Sequence, residues 1–84
     1  MKHWASQKFW ALYEALPVEV RELAEKNFEL LTADPRHPSL HFKRIGSVWS
    51  VRVGGHYRAL GHDVADGIQW FWIGTHADYD KLIG

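Results

Sequence analysis

The sequence predicts an α+β domain, a helical hairpin packed on one face of a small antiparallel sheet of three or four strands. Three observations carry that prediction. Apolar residues recur at helical spacing through residues 6–31, the pattern changes to alternation after Pro38, and Gly54-Gly55 and Asp66-Gly67 punctuate the later strands as hairpin turns do. Helices first and strands afterwards is the order of an α+β chain, not of one that alternates the two. Eighty-four residues make one domain, 1–84, and a chain this short needs a core dense in large apolar groups. Five Trp, four Phe and three Tyr supply them.

In the first helix Phe9, Leu12, Tyr13 and Leu16 form one apolar stripe, and Ser6 is placed to cap its start. Pro17 has no N–H to donate, so it ends that helix near Leu16 and opens a second with Pro17 in its first turn. The second helix directs Val20, Leu23, Ala24, Phe28 and Leu31 inward and Glu19, Glu22, Glu25, Lys26 and Glu29 outward, until Thr32-Ala33-Asp34-Pro35 stops it. Among the strands, Leu40 and Phe42, with Ile45, alternate against His41, Lys43 and Arg44. Trp49, Val51 and Val53 alternate with Ser50 and Arg52, and Tyr57, Ala59 and Gly61 with Arg58, Leu60 and His62. Ile68–Ile73 is too apolar to show a period, and residues 1–5 are too short to assign beyond a brief edge strand.

Register decides which side chains share a face. A three-residue loop, Gly54-Gly55-His56, keeps Trp49, Val51, Val53, Tyr57 and Ala59 together and sets Arg52 beside Arg58 on the face away from the helices; a two-residue turn would separate them. Like charges directly opposite are destabilising, so the arginine pair points to a bound anion. At the next turn a three-residue loop, Ala65-Asp66-Gly67, puts Trp70 and Trp72 on the arginine face. A two-residue Asp-Gly turn puts them on the helix face, and both registers stay open.

Charge is polarised along the chain although the net charge is zero. Between Asp34 and Asp63 there is no carboxylate, only Arg36, Lys43, Arg44, Arg52 and Arg58 with His37, His41, His56 and His62. Such a segment attracts phosphates or an acidic partner. The absence of Cys leans toward a reducing compartment, Lys2-His3 begins no apolar leader, and no run is long enough to span a bilayer. The expectation is a soluble cytoplasmic domain. Of the six His only His37 and His41 stand four apart, and with Pro38 between them they lie outside the predicted helices, so neither metal nor cofactor is expected.

Asp34-Pro35-Arg36-His37-Pro38, Leu40-His41-Phe42-Lys43, Trp49-Ser50-Val51-Arg52-Val53-Gly54, Tyr57-Arg58-Ala59-Leu60 and Trp72-Ile73-Gly74-Thr75-His76-Ala77-Asp78-Tyr79-Asp80 resemble the RelE/ParE superfamily of bacterial type II toxin–antitoxin toxins. The resemblance spans nearly the whole chain, and Arg-Val-Gly followed by Tyr-Arg is its most specific part. It implies the same helical hairpin on a small antiparallel sheet. It also implies an antitoxin partner and one of two activities: RelE-like members cleave mRNA, usually on the translating ribosome, and ParE-like members poison DNA gyrase.

RNA cleavage without metal needs a general base, fixed cations for the extra charge on phosphorus, and a general acid. Arg52 and Arg58 suit the cationic role because a guanidinium fork matches phosphate. His76 suits proton transfer, and Tyr79, three residues on, either stacks on a base or shares that transfer. Lys43 and Arg44, with His41, are the flanking phosphate contacts, and Trp70 or Trp72, where exposed, would stack on an unpaired base. His41 and His62 read as polar residues on strand faces, while Asp78 and Asp80 flank the site and repel phosphate. The expectation is an mRNA interferase. The alternatives are a gyrase inhibitor acting by contact alone, or a binding module for an acidic antitoxin segment.

Overall fold

A computed structural model describes residues 2–83. Strand β1 (Lys2–Ala5) is followed by helices α1 (Gln7–Glu14) and α2 (Val18–Ala33), then β2 (Lys43–Ile45), β3 (Val48–Val53), β4 (Tyr57–Val64), β5 (Gly67–Thr75) and α3 (His76–Ile83). The sheet has five strands in the order β1-β5-β4-β3-β2, antiparallel except for the parallel pair β1–β5. The α+β class and the helical hairpin therefore stand, while the sheet exceeds the expected three or four antiparallel strands by the N-terminal edge strand. A four-residue segment shows too little alternation to declare itself. What admits it is Gly67, where a Cβ would fall 1.9 Å from the Lys2 carbonyl oxygen.

Ser6 caps α1, its hydroxyl accepting from the Phe9 N–H at 3.2 Å. Pro17 stands just before α2, and its carbonyl accepts from the N–H groups of Val20 and Arg21. Of the α2 residues expected inward, Val20 and Leu31 are buried, but Leu23 and Phe28 remain exposed, Phe28 at the rim of an apolar cavity between the helices and the sheet. The expected strand start at Leu40 gives way to a 3₁₀ turn, Pro38–Leu40, whose end places His41 at φ 45° before β2 begins.

The β3–β4 turn is the three-residue loop, with Val53 opposite Tyr57 and Arg52 opposite Arg58; Gly54 supplies the positive φ of 61°. The β4–β5 turn follows neither expected register. Its two loop residues are Ala65-Asp66, Val64 faces Gly67, and a bulge opposite Leu60/Gly61 leaves Phe71 as the extra residue. The bulge separates the two tryptophans. Trp70 joins Leu31, Val51, Val53, Ala59 and Ile73 in the core beneath α1 and α2. Trp72 turns to the other face, where it packs with Leu60 and Tyr79 under α3. Gly61 makes room for this, since a Cβ there would lie 2.6 Å from Ile68 and 2.9 Å from the Trp70 ring.

Helix α3 was not foreseen. The signal was Thr75-His76-Ala77-Asp78, a hydroxyl residue followed at the third position by a carboxylate, and Thr75 Oγ1 does accept from the Asp78 N–H at 3.1 Å. No described helix is long and apolar enough to cross a membrane.

Candidate active-site groove

The β3–β4 hairpin builds the floor of the site. Arg52 and Arg58 are cross-strand partners on the face away from α1 and α2. Arg52 is held by its own turn, its Nε donating to the Gly54 carbonyl at 2.9 Å, while Asn27 Nδ2 on α2 donates to the Arg52 carbonyl at 3.2 Å. Arg58 is only 7% exposed. Its Nη1 donates to the buried Ser50 hydroxyl at 3.2 Å, and its guanidinium carbon lies 5.0 Å from the centre of the Tyr79 ring. Its Nε is buried and has no partner. A buried donor without a partner is costly, and a desolvated cation favours an anion beside it.

The walls come from the hairpin's own turn and from two other segments, the start of α3 and the turn before β2. His76 opens α3, its backbone N–H donating to the His56 carbonyl at 2.7 Å, which ties the helix start to the β3–β4 turn. Its Nδ1 lies 3.3 Å from Asp80 Oδ2 one helical turn on. His41 stands across the groove in a left-handed conformation that a non-glycine residue adopts only against a steric cost. Together His41, Arg52, Gly55, His56, Arg58 and His76 line an open groove of about 390 Å³.

Of the residues picked out in the sequence, Arg52, Arg58, His76 and His41 therefore meet. His41 does so from the turn before β2, not from a strand face. Tyr79 is 4% exposed and lies beneath Arg58 and beside His76, ring centres 5.5 Å apart, so it supports the groove from below and offers no open face to a base. Lys43 pairs with Ser50 and so lies on the arginine face. Arg44 pairs with Trp49 on the opposite face, forms an ion pair with Asp63 and stacks at 5.2 Å over Trp49, so it is a neutralised cation outside the groove. The hydrogen bond from Trp49 Nε1 at 2.9 Å and that from Arg44 hold the Asp63 carboxyl below its ordinary pKa. Trp70 and Trp72 are both buried, which removes them as stacking platforms. His56 is the lining residue that sequence reasoning missed. Its signal was position, a titratable side chain in the turn between the two arginine-bearing strands. Among the described residues, no group of three or more His, Cys, Asp or Glu is placed to hold a metal ion.

A second cavity, of about 440 Å³, opens on the opposite side of the sheet between α1, α2 and β1. Trp70, Val51 and Ile73 lie within it, and Trp4, Trp10 and Phe28 stand at its mouth about half exposed.

Comparison with known proteins supports the fold and gives the family. The model of the ParE-like toxin domain matches residues 18–81. A chain of the RelB-RelE antitoxin-toxin complex from Methanococcus jannaschii superimposes with a TM-score of 0.72 at 15% sequence identity, covering 96% of this chain and 99% of that one. No curated protein sequence matches significantly.

Proposed function

Because the chain belongs to the ParE-like toxin domain family, we propose that it is the toxin of a toxin–antitoxin pair and that it acts as a metal-independent endoribonuclease on mRNA. The observation that carries this reading is the groove, where a buried arginine with a free donor and a second arginine share a wall-to-wall space with three histidines. In that arrangement Arg58 and Arg52 hold the phosphate between the cleaved nucleotides and stabilise the charge that develops on its oxygens. His76 transfers the proton, either taking it from the 2′-hydroxyl or giving it to the departing 5′-oxygen. Tyr79 is a positioning residue that fixes the Arg58 guanidinium through its ring face. Lys43, on the same sheet face, meets a flanking phosphate.

The antitoxin is the partner assigned to the apolar cavity on the opposite side. Large aromatic side chains left half exposed around a contiguous apolar opening mark a protein-binding surface. A toxin so built can be captured on one side of its sheet while its groove lies on the other.

The test is induced expression in bacteria with mapping of RNA 5′ ends. New ends confined to translated frames, and lost in His76→Ala and Arg58→Ala, are the expected result. A second reading, inhibition of DNA gyrase by contact, is favoured by the ParE-like character of the matching domain. Growth arrest with intact mRNA, unchanged by His76→Ala and accompanied by gyrase trapped on DNA, would replace the nuclease with that activity.

A further inference from the structure

Beside the groove stands one feature that its cations and histidines do not account for, the carboxylate of Asp80. By sequence position it threatens the site, since an acid beside a phosphate pocket repels the ligand. By geometry it does something else. Its Oδ2 lies 3.3 Å from His76 Nδ1, and Asp80 is not among the residues lining the groove that His76 lines. The carboxylate thus sits behind the imidazole. The helix that carries both is fixed at three points: the His76 N–H on the His56 carbonyl, the Asp78 N–H on Thr75 Oγ1, and the buried Tyr79 ring against Leu60 and Trp72.

We propose that Asp80 is a positioning residue for His76, accepting a hydrogen bond from Nδ1–H so that Nε2 is the atom presented to RNA. The inference rests on the nuclease reading of the groove. A carboxylate on one ring nitrogen fixes which tautomer the neutral imidazole adopts and holds the ring plane. Without it a solvated histidine favours the other tautomer, with the proton on Nε2, and a base that must take a proton at Nε2 is then in the wrong form.

Asp80→Ala is the informative variant, because alanine preserves an exposed helical position. Messenger RNA cleavage in a reconstituted translation mixture is expected to lose about tenfold or more in turnover, with KM unchanged. In the ribosome-free protein, ¹⁵N NMR of the ring nitrogens is expected to show His76 moving from the Nδ1–H to the Nε2–H tautomer. Asp80→Glu, which retains an acceptor-only carboxylate, should recover part of both. Glu22→Gln, on α2 across the sheet from the groove, serves as control and should leave both unchanged. Full turnover with an unmoved tautomer in Asp80→Ala would overturn the assignment. The parent protein and His76→Ala separate this failure from that of the nuclease reading. If His76→Ala is inactive while Asp80→Ala is not, only the positioning role falls; if the parent itself cleaves no mRNA, the nuclease reading falls first.

Discussion

Arg58 concentrates the conflict between stability and activity in one side chain. It is nearly buried and cationic, its Nε has no partner, and Arg52 stands directly opposite. Replacing it with methionine, of similar length and no charge, removes the desolvation cost and the like-charge neighbour while losing the contact with Tyr79. Arg58→Met is expected to raise thermal stability, by about 4–8 °C for each kcal/mol gained in a domain of this size, and to abolish cleavage; calorimetry and an RNA assay on the same sample check both. His3 sets a different condition. Its Nδ1 accepts from Trp70 Nε1 at 3.1 Å, and its ring lies against Phe28, so it must be neutral where it sits. Burial pushes its pKa below the ordinary value. The unfolded chain therefore binds a proton first as pH falls, and the stability His3 contributes is complete above about pH 6.5 and lost progressively below it. Melting temperature measured from pH 7.5 to 5 should fall more steeply for the parent than for His3→Phe. Asp63, also lowered, acts in the same direction but only below the carboxylate range of about pH 4, so the two losses separate. At this scale the sequence disclosed the arginine pair and His76, because residue type and alternation are local properties. It did not disclose that Tyr79 would be buried or that Arg44 would be neutralised by Asp63, since both depend on where distant strands bring the side chain.

Among the elements, the β3–β4 hairpin was legible because only one loop length keeps its apolar face intact. The β5 register was not, because Ile68–Ile73 is apolar on both faces and a bulge resolves what alternation would have shown. β1 depends on backbone proximity alone. Gly67→Ala, which would set a methyl 1.9 Å from the Lys2 carbonyl oxygen, is expected to detach β1 and cost about 1–3 kcal/mol. Hydrogen exchange would show it as lost protection at the Ser6 amide, which is bonded to the Trp70 carbonyl at 3.0 Å. Helix α3 depends on its cap. Thr75→Ala should cost about 1 kcal/mol and lower cleavage through a frayed His76, whereas Thr75→Ser should retain both; circular dichroism melts and the RNA assay measure the pair.

For the whole molecule, zero net charge conceals two unlike sides. The carboxylate-free stretch folds so that Lys43, Arg52 and Arg58 share one sheet face, while α1, α2 and the apolar opening occupy the other. Three cations on phosphates give an expected slope of log K against log salt of about −2 for single-stranded RNA, and Lys43→Ala should reduce it by about 0.7. Titration of a non-cleavable oligonucleotide at several salt concentrations measures it. The paired arginines of the groove have a last consequence, for how long the protein survives in a cell. Any anion that fills the groove binds the folded chain and not the unfolded one, and at a hundredfold excess over its Kd it adds about 2.7 kcal/mol of stability. Proteases that act on transiently opened chains follow that free energy. The empty toxin is thus its own shortest-lived form, and engagement with a target prolongs the molecule that engages it.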